Sequence, residues 1–258
     1  MKKILLLAAL ALGTLAVSAQ SVGGGRSSSG KSFFSTEKAD KGVTIGIRGG
    51  IGTGGMSTRF DTGKGENYSF KTGFGYNAGI NLDIPIVKSA YIQTGLFFTC
   101  KSVKFEETCS DKNIEHQLSP MFIEIPLLAS YRYDFNEKTQ MQVNIGPYFA
   151  YGIAGKLKRD LGYNLFTETK HYEGFADPGG HPDYENVKLL NPFDAGISIG
   201  LGATFNKFFI GLRYEIGLKN ICEPSGWNKN KAVHQTLDID GLKDIKTRNF
   251  SFNIGYDF

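Results

Sequence analysis

The chain has 258 residues, with 33 glycines, a single tryptophan and a formal net charge of +4. So small a charge, which falls further if Lys2 and Lys3 leave with a cleaved leader, argues against nucleic acid as a partner. Beyond the first residues no stretch stays apolar for the roughly 18 residues of a helical span, so a membrane crossing would have to be made by strands.

The N-terminus reads as a secretory leader. Lys2 and Lys3 precede an apolar run from Ile4 to Val17, and Val17-Ser18-Ala19 is a small-x-small site that places cleavage between Ala19 and Gln20. No cysteine lies near that point, which argues against a lipid anchor. Residues 20–41 are rich in Gly and Ser and read as a flexible periplasmic tail. Within it, Gly25 to Ser32 satisfies the phosphate-loop pattern G-x-x-x-x-G-K-[ST]. That pattern works only between a strand and a helix, where backbone N–H groups surround phosphate, so it is rejected here. Gly50-x-Gly52-x-x-Gly55 is rejected as a dinucleotide fingerprint for the same reason: no helical pattern follows it.

From residue 42 onward, two-residue alternation dominates, and it predicts eight strands. They run over 43–52, 70–83, 90–105, 121–133, 140–155, 193–205, 208–219 and 249–258. Side chains on a strand alternate between faces, so each segment has one greasy and one wet side. In the second strand Phe74, Tyr76, Ala78, Ile80 and Leu82 alternate with Gly75, Asn77, Gly79, Asn81 and Asp83. In the last, Phe250, Phe252, Ile254, Tyr256 and Phe258 alternate with Ser251, Asn253, Gly255 and Asp257. The expected connections (53–69, 84–89, 106–120, 134–139, 156–192, 206–207 and 220–245) alternate long and short. This is the rhythm of an up-and-down barrel with short periplasmic turns and long external loops.

The wet faces carry Arg48, Glu124, Arg132, Asp194, Arg213 and Glu215 among Gly, Asn and Ser, while the other faces are branched and aromatic. A soluble barrel would bury the large apolar groups and expose the charges. The inverse assignment fits lipid outside and a packed polar lumen, because eight strands leave room for side chains but not for a channel. The six charged residues are then expected to pair inside a plugged lumen, since an unpaired buried charge is costly. Tyr131, Tyr133, Phe205, Phe208, Tyr256 and Phe258 cluster near the short turns and suit an interfacial girdle. Tyr256 and Phe258, closing the last strand on aromatics, read as the signal to the outer-membrane insertion machinery.

Chemistry-bearing residues are sparse. His116, His171, His181 and His234 fall in the expected long loops near acids, but no pair has zinc-ligand spacing on one element and no nucleophile is marked. No catalytic, metal or cofactor residue is assigned. Loop 156–192 carries Tyr163, Phe166, Tyr172, Phe175 and Tyr184, and suits either partner contact or a lid over the barrel mouth. For the cysteines two arrangements stay open: Cys100 with Cys109, leaving Cys222 odd, or three thiols.

Phe122-Ile123-Glu124-Ile125-Pro126-Leu127-Leu128, Asn144-Ile145-Gly146-Pro147-Tyr148, and Asp194-Ala195-Gly196 running into Gly200-Leu201-Gly202 resemble the strand motifs of PorT-like outer-membrane barrels of Bacteroidetes-type bacteria. The resemblance covers roughly residues 42–258. It implies an eight-stranded antiparallel transmembrane β-barrel without catalytic residues, and links the namesake member to protein secretion. The expected role is a non-enzymatic barrel in outer-membrane lipid, presenting loops for adhesion, binding or assembly with envelope proteins. A barrel enzyme acting on lipid or lipopolysaccharide and a soluble periplasmic or secreted binding barrel are the alternatives.

Overall fold

A strand with one apolar side has to bury that side or face lipid, and its backbone N–H and C=O groups need partners on both edges. The computed structural model meets both demands with one closed antiparallel sheet. It describes residues 42–60, 68–109, 112–136, 138–160, 190–222 and 242–258. The proposed leader with its Ala19–Gln20 junction, the tail, and His171, His181 and His234 lie outside the described residues.

The strands are β1 (Thr44–Phe60), β2 (Tyr68–Val87), β3 (Ala90–Cys100), β4 (Val103–Cys109), β5 (Lys112–Asn136), β6 (Thr139–Asp160), β7 (Phe193–Phe205), β8 (Phe208–Gly217) and β9 (Leu242–Asp257). Apart from β3 and β4, each pairs with its neighbour in sequence, and β1 pairs with both β2 and β9, so the sheet closes. β3 and β4 both lie between β2 and β5 and form one interrupted stave, which makes nine strands into eight staves. Closure leaves no exposed sheet edge for lipid to meet.

The expected single strand over 90–105 is therefore corrected to two. Against β5 the register runs on without a step (Cys100↔Met121, then Val103↔Leu118). Against β2 it slips by one residue (Tyr76↔Cys100, then Thr72↔Val103), so β2 carries a bulge. A one-residue slip exchanges faces. Phe70, which the uninterrupted alternation would turn outward, instead packs on buried Phe105 with ring centroids 5.7 Å apart. Lys101 and Ser102, between the two strands, fold inward. Glycine is required opposite them: a Cβ on Gly54 would lie 2.6 Å from the Ser102 backbone, and one on Gly73 would lie 2.8 Å away.

Strand ends also differ from the expectation. The alternation predicts a long loop over 106–120, but within it 106–109 belong to β4 and 112–120 to β5, which pair with each other antiparallel. His116, expected in that loop, has its backbone in β5 opposite Phe105 and Arg159. β1, β2, β6 and β9 likewise run further toward the long-loop end than the alternation suggested. Beyond the lipid nothing requires an apolar outer face, so the strands continue without the pattern that revealed them. Cys100 and Cys109 sit on the same stave. β4 alone extends about 20 Å at 3.3 Å per residue, which places these cysteines beyond disulfide reach.

The short turns follow local chemistry. Asn206 takes a positive φ of 55° in the two-residue β7–β8 turn, a conformation Asn tolerates. The Asn136 side-chain oxygen accepts from the Lys138 and Thr139 amides at 2.9 and 2.8 Å, closing the β5–β6 turn.

Exposure separates the two faces. Ile145, Ile254, Leu201, Ile80 and Phe74 are more than half exposed on the outside, while Asn81, Ser198, Ser251 and Glu124 are buried within. Tyr256 sits edge-on between Phe208 and Phe258, with centroids 5.3 and 5.4 Å away, and Tyr133 meets Phe135 at 6.0 Å, both at the short-turn end.

Candidate functional site: the charged lumen

Two groups of buried charges occupy the barrel, one above the other. The lower group lies near the short turns. Arg48 on β1 approaches Asp257 on β9 at 2.8 Å and Asp83 on β2 at 3.9 Å, and Arg132 on β5 reaches Asp83 at 2.6 Å. Gln93 on β3 donates to the other Asp83 oxygen at 2.9 Å. The guanidinium of Arg48 lies over the Phe209 ring at 3.7 Å, and that of Arg132 over Tyr91 at 4.1 Å. Two cations face two carboxylates, so this group is balanced.

The upper group is built around Lys101, which is fully buried. Its ammonium lies 3.0 Å from Glu124 on β5, 3.3 Å from Glu215 on β8 and 3.8 Å from Asp194 on β7. β8 stands four staves from β3 in either direction around the ring, so this side chain crosses the lumen. The inward fold at Lys101–Ser102 gives it that reach, and Lys101 N–H donates to the Pro120 carbonyl at 3.1 Å. Tyr148 adds a ring 4.2 Å from the ammonium.

Three acids here meet two cations, Lys101 and Arg213, and the latter is 4.0 Å from Glu215. Neutral donors serve part of the remaining acceptor capacity. Asp194 accepts from the Thr247 hydroxyl at 2.7 Å and the Tyr148 hydroxyl at 3.2 Å, and Glu215 accepts from the Asn249 amide at 3.1 Å. Charge-assisted bonds of this kind are stronger than neutral ones.

Between the two groups Arg48, Asn144, Arg213 and Asn253 line a cavity of ≈ 10 Å³, room for about one water. Above the Lys101 group the lumen is apolar. Val103, Phe105, Leu118, Phe122, Leu190 and Ile221 form a buried layer, reached by residues that flank the long loops. Leu190 makes a β-bridge to Cys222, and the Ile221 amide donates to the Ile245 carbonyl at 2.9 Å.

The residues assigned from sequence thus divide between the two groups: Arg48 and Arg132 below, Glu124, Asp194, Arg213 and Glu215 above. Asp83 and Asp257, which complete the lower group, lie on wet faces of the alternation, and Lys101, which completes the upper one, lies within the 90–105 segment; none is among the six. Tyr148 and the apolar layer had no such signal, because an aromatic on the inner face looks the same in sequence as a break in the pattern. Among the described residues no group of three His, Cys, Asp or Glu side chains is arranged to hold a metal ion.

Residues 20–223 match the family described as outer membrane protein beta-barrel domain. The chain belongs to this family. Its members reside in the outer membrane, and the apolar exterior of this barrel is what that location demands, which sets aside the soluble-barrel alternative. No curated protein matches the sequence. Among solved structures, the chain is similar to OprG from Pseudomonas aeruginosa, with 11% identity, 86% of this chain and 99% of that one covered, and a TM-score of 0.44. Neisserial surface protein A is 10% identical, with 84% and 100% covered and a TM-score of 0.39. Ail of Yersinia pestis is 14% identical over 84% and 100%, with a TM-score of 0.35. Likenesses this distant do not assign a function to this outer-membrane barrel.

Proposed function

We propose that this outer-membrane barrel is a sealed, non-enzymatic scaffold of the PorT-like type, whose task is carried by its external loops in contact with envelope or extracellular partners. The observation that carries the reading is the position of Lys101. One buried ammonium ties β3 to β5, β7 and β8 across the lumen, beneath an apolar layer and above a second, balanced ion network. Such an interior supports rigidity rather than passage, because each ion on a path would have to break pairs held in low dielectric. The described charged side chains inside are occupied with one another, which favours a structural over a catalytic role for them. The leader ending at Ala19, the tail 20–41 and recognition of Tyr256 and Phe258 by the insertion machinery belong to the same reading.

Planar-bilayer recording of the purified barrel tests the seal. The reading expects no stepwise conductance from the full chain. Regular single-channel openings would overturn it. Co-purification in mild detergent from wild-type cells, compared with a variant in which residues 161–189 are replaced by a short Gly/Ser linker, tests the scaffold role. A partner lost with this segment supports it, and an identical set of partners counts against it. Lipid A mass spectrometry of a deletion strain addresses the enzyme alternative: an altered lipid profile would displace the non-enzymatic reading.

A further inference from the structure

The outer surface of the barrel is not uniformly apolar toward the long-loop end. On β9 the outward column reads Tyr256, Ile254, Phe252, Phe250 and then Arg248, Lys246 and Asp244, with no register shift among them. Its inward column, Thr247 and Ile245, is buried, so the change from grease to charge happens on the lipid-facing side. On β1 the same side runs from Ile51 and Thr53 through Gly55 and Ser57 to exposed Arg59, which stands opposite Asp244. Arg248 is exposed, and its cross-strand neighbours are Gly55 and Ile216, neither of which offers an opposite charge. Next along the wall, the Lys219 ammonium lies 4.4 Å from the ring of outward-facing Phe193.

Among the described residues the acid on this wall is Asp244, already 3.5 Å from Lys246. Arg59, Lys219, Lys246 and Arg248 against Asp244 leave a surplus of positive charge spread over four residue steps of β9, from Arg248 opposite Gly55 to Asp244 opposite Arg59, roughly 13 Å at 3.3 Å per residue. That stretch begins at the last step of the apolar band on the long-loop side, where an outer-membrane barrel meets the headgroups of the outer leaflet. A cation there is within reach of lipid phosphate while its stem stays against acyl chain.

We propose that the β7–β8–β9–β1 wall binds the phosphate groups of a phosphorylated glycolipid of the outer leaflet, with Arg59 and Arg248 as the principal contacts. Two guanidiniums on neighbouring strands can each engage phosphate with paired N–H donors, which a lysine cannot do. The apolar column beneath, Phe250 to Ile254, takes the acyl chains.

The test uses the full barrel in detergent micelles, titrated with bis-phosphorylated lipid A and read by native mass spectrometry, with fully dephosphorylated lipid A and phosphatidylglycerol as comparison probes. The expected result is preferential retention of the phosphorylated glycolipid, weakened by salt. In Arg59→Gln/Arg248→Gln the affinity should fall roughly thirtyfold, since each basic side chain near a lipid surface contributes about a factor of five. Both positions face outward, so heat-modified gel mobility should be unchanged. Equal retention of phosphorylated and dephosphorylated lipid A, or of phosphatidylglycerol, would overturn the proposal, as would an unchanged affinity in the double variant. If that variant fails to fold, Arg59→Lys/Arg248→Lys keeps the charge, and the proposal then requires a smaller but measurable loss.

Discussion

Replacing Lys101 with Met keeps all but the terminal atom's reach of an unbranched side chain and removes its charge, so it chiefly probes the electrostatic role of the residue. In the native barrel the ammonium faces carboxylates at 3.0, 3.3 and 3.8 Å. At an effective permittivity of about 20, each of these separations is worth roughly 4–6 kcal/mol before desolvation is charged against it. Without Lys101 three buried acids retain a single nearby cation, Arg213, at 4.0 Å from one of them. Leaving a buried charge without its partner costs about 3–5 kcal/mol, and that is the expected loss in folding stability. Urea titration of the barrel in lipid micelles, followed by heat-modified gel mobility, measures it. The decisive comparison is Lys101→Met/Glu124→Gln: removing the acid as well should restore a substantial part of the loss, with a coupling energy of at least about 1 kcal/mol. If Lys101→Met lowers stability by less than about 1 kcal/mol, or if the added Glu124→Gln restores nothing, the cross-lumen account is wrong.

Other substitutions probe different links of the chain from sequence to assembly. Ile145→Arg puts a cation on the lipid side of β6, where the native residue is 53% exposed, and should cost about 2–4 kcal/mol in the same titration. Gly54→Val drives a side chain into the Ser102 backbone and should cost about 1–3 kcal/mol, whereas Gly49→Val, whose Cβ would meet only the Asn77 carbonyl oxygen at 3.9 Å, should cost much less. Deleting Phe258 removes the hydrogen bond from its amide to the Ile45 carbonyl at 2.9 Å and the edge contact to Tyr256. Surface levels should drop and periplasmic degradation products should appear on immunoblots; unchanged levels would remove its signal role.

The architecture was legible because lipid imposes it. Every outward position between the interfaces has to be apolar, so β2, β6, β7 and β9 announce themselves by alternation alone, and the short turns are marked by residues such as Asn136 and Asn206. What lay beyond the lipid was not legible, since the upper β4–β5 hairpin obeys no such constraint and was read as loop. The interruption at Lys101 did leave a trace: the apolar phase moves from Leu96 and Phe98 to Val103 and Phe105, an even-to-odd change that marks altered surroundings. Single-strand alternation could separate the two faces but could not tell which charges meet. Lys101 meets Glu215 from the opposite side of the ring, and only closure and the inward fold create that contact. Similarly, Phe122 and Tyr148 belong to an inner apolar layer that a polar-lumen rule does not anticipate.

Site-directed spin labelling of the barrel in lipid bilayers tests the inside-out arrangement most directly. Labels at Ile145 and Ile254 should be reached by lipid-dissolved oxygen and shielded from a water-soluble nickel relaxant. Labels at Ser198 and Ser251, one face away, should be shielded from both. High oxygen access at the serine positions together with shielded isoleucine positions would contradict the account.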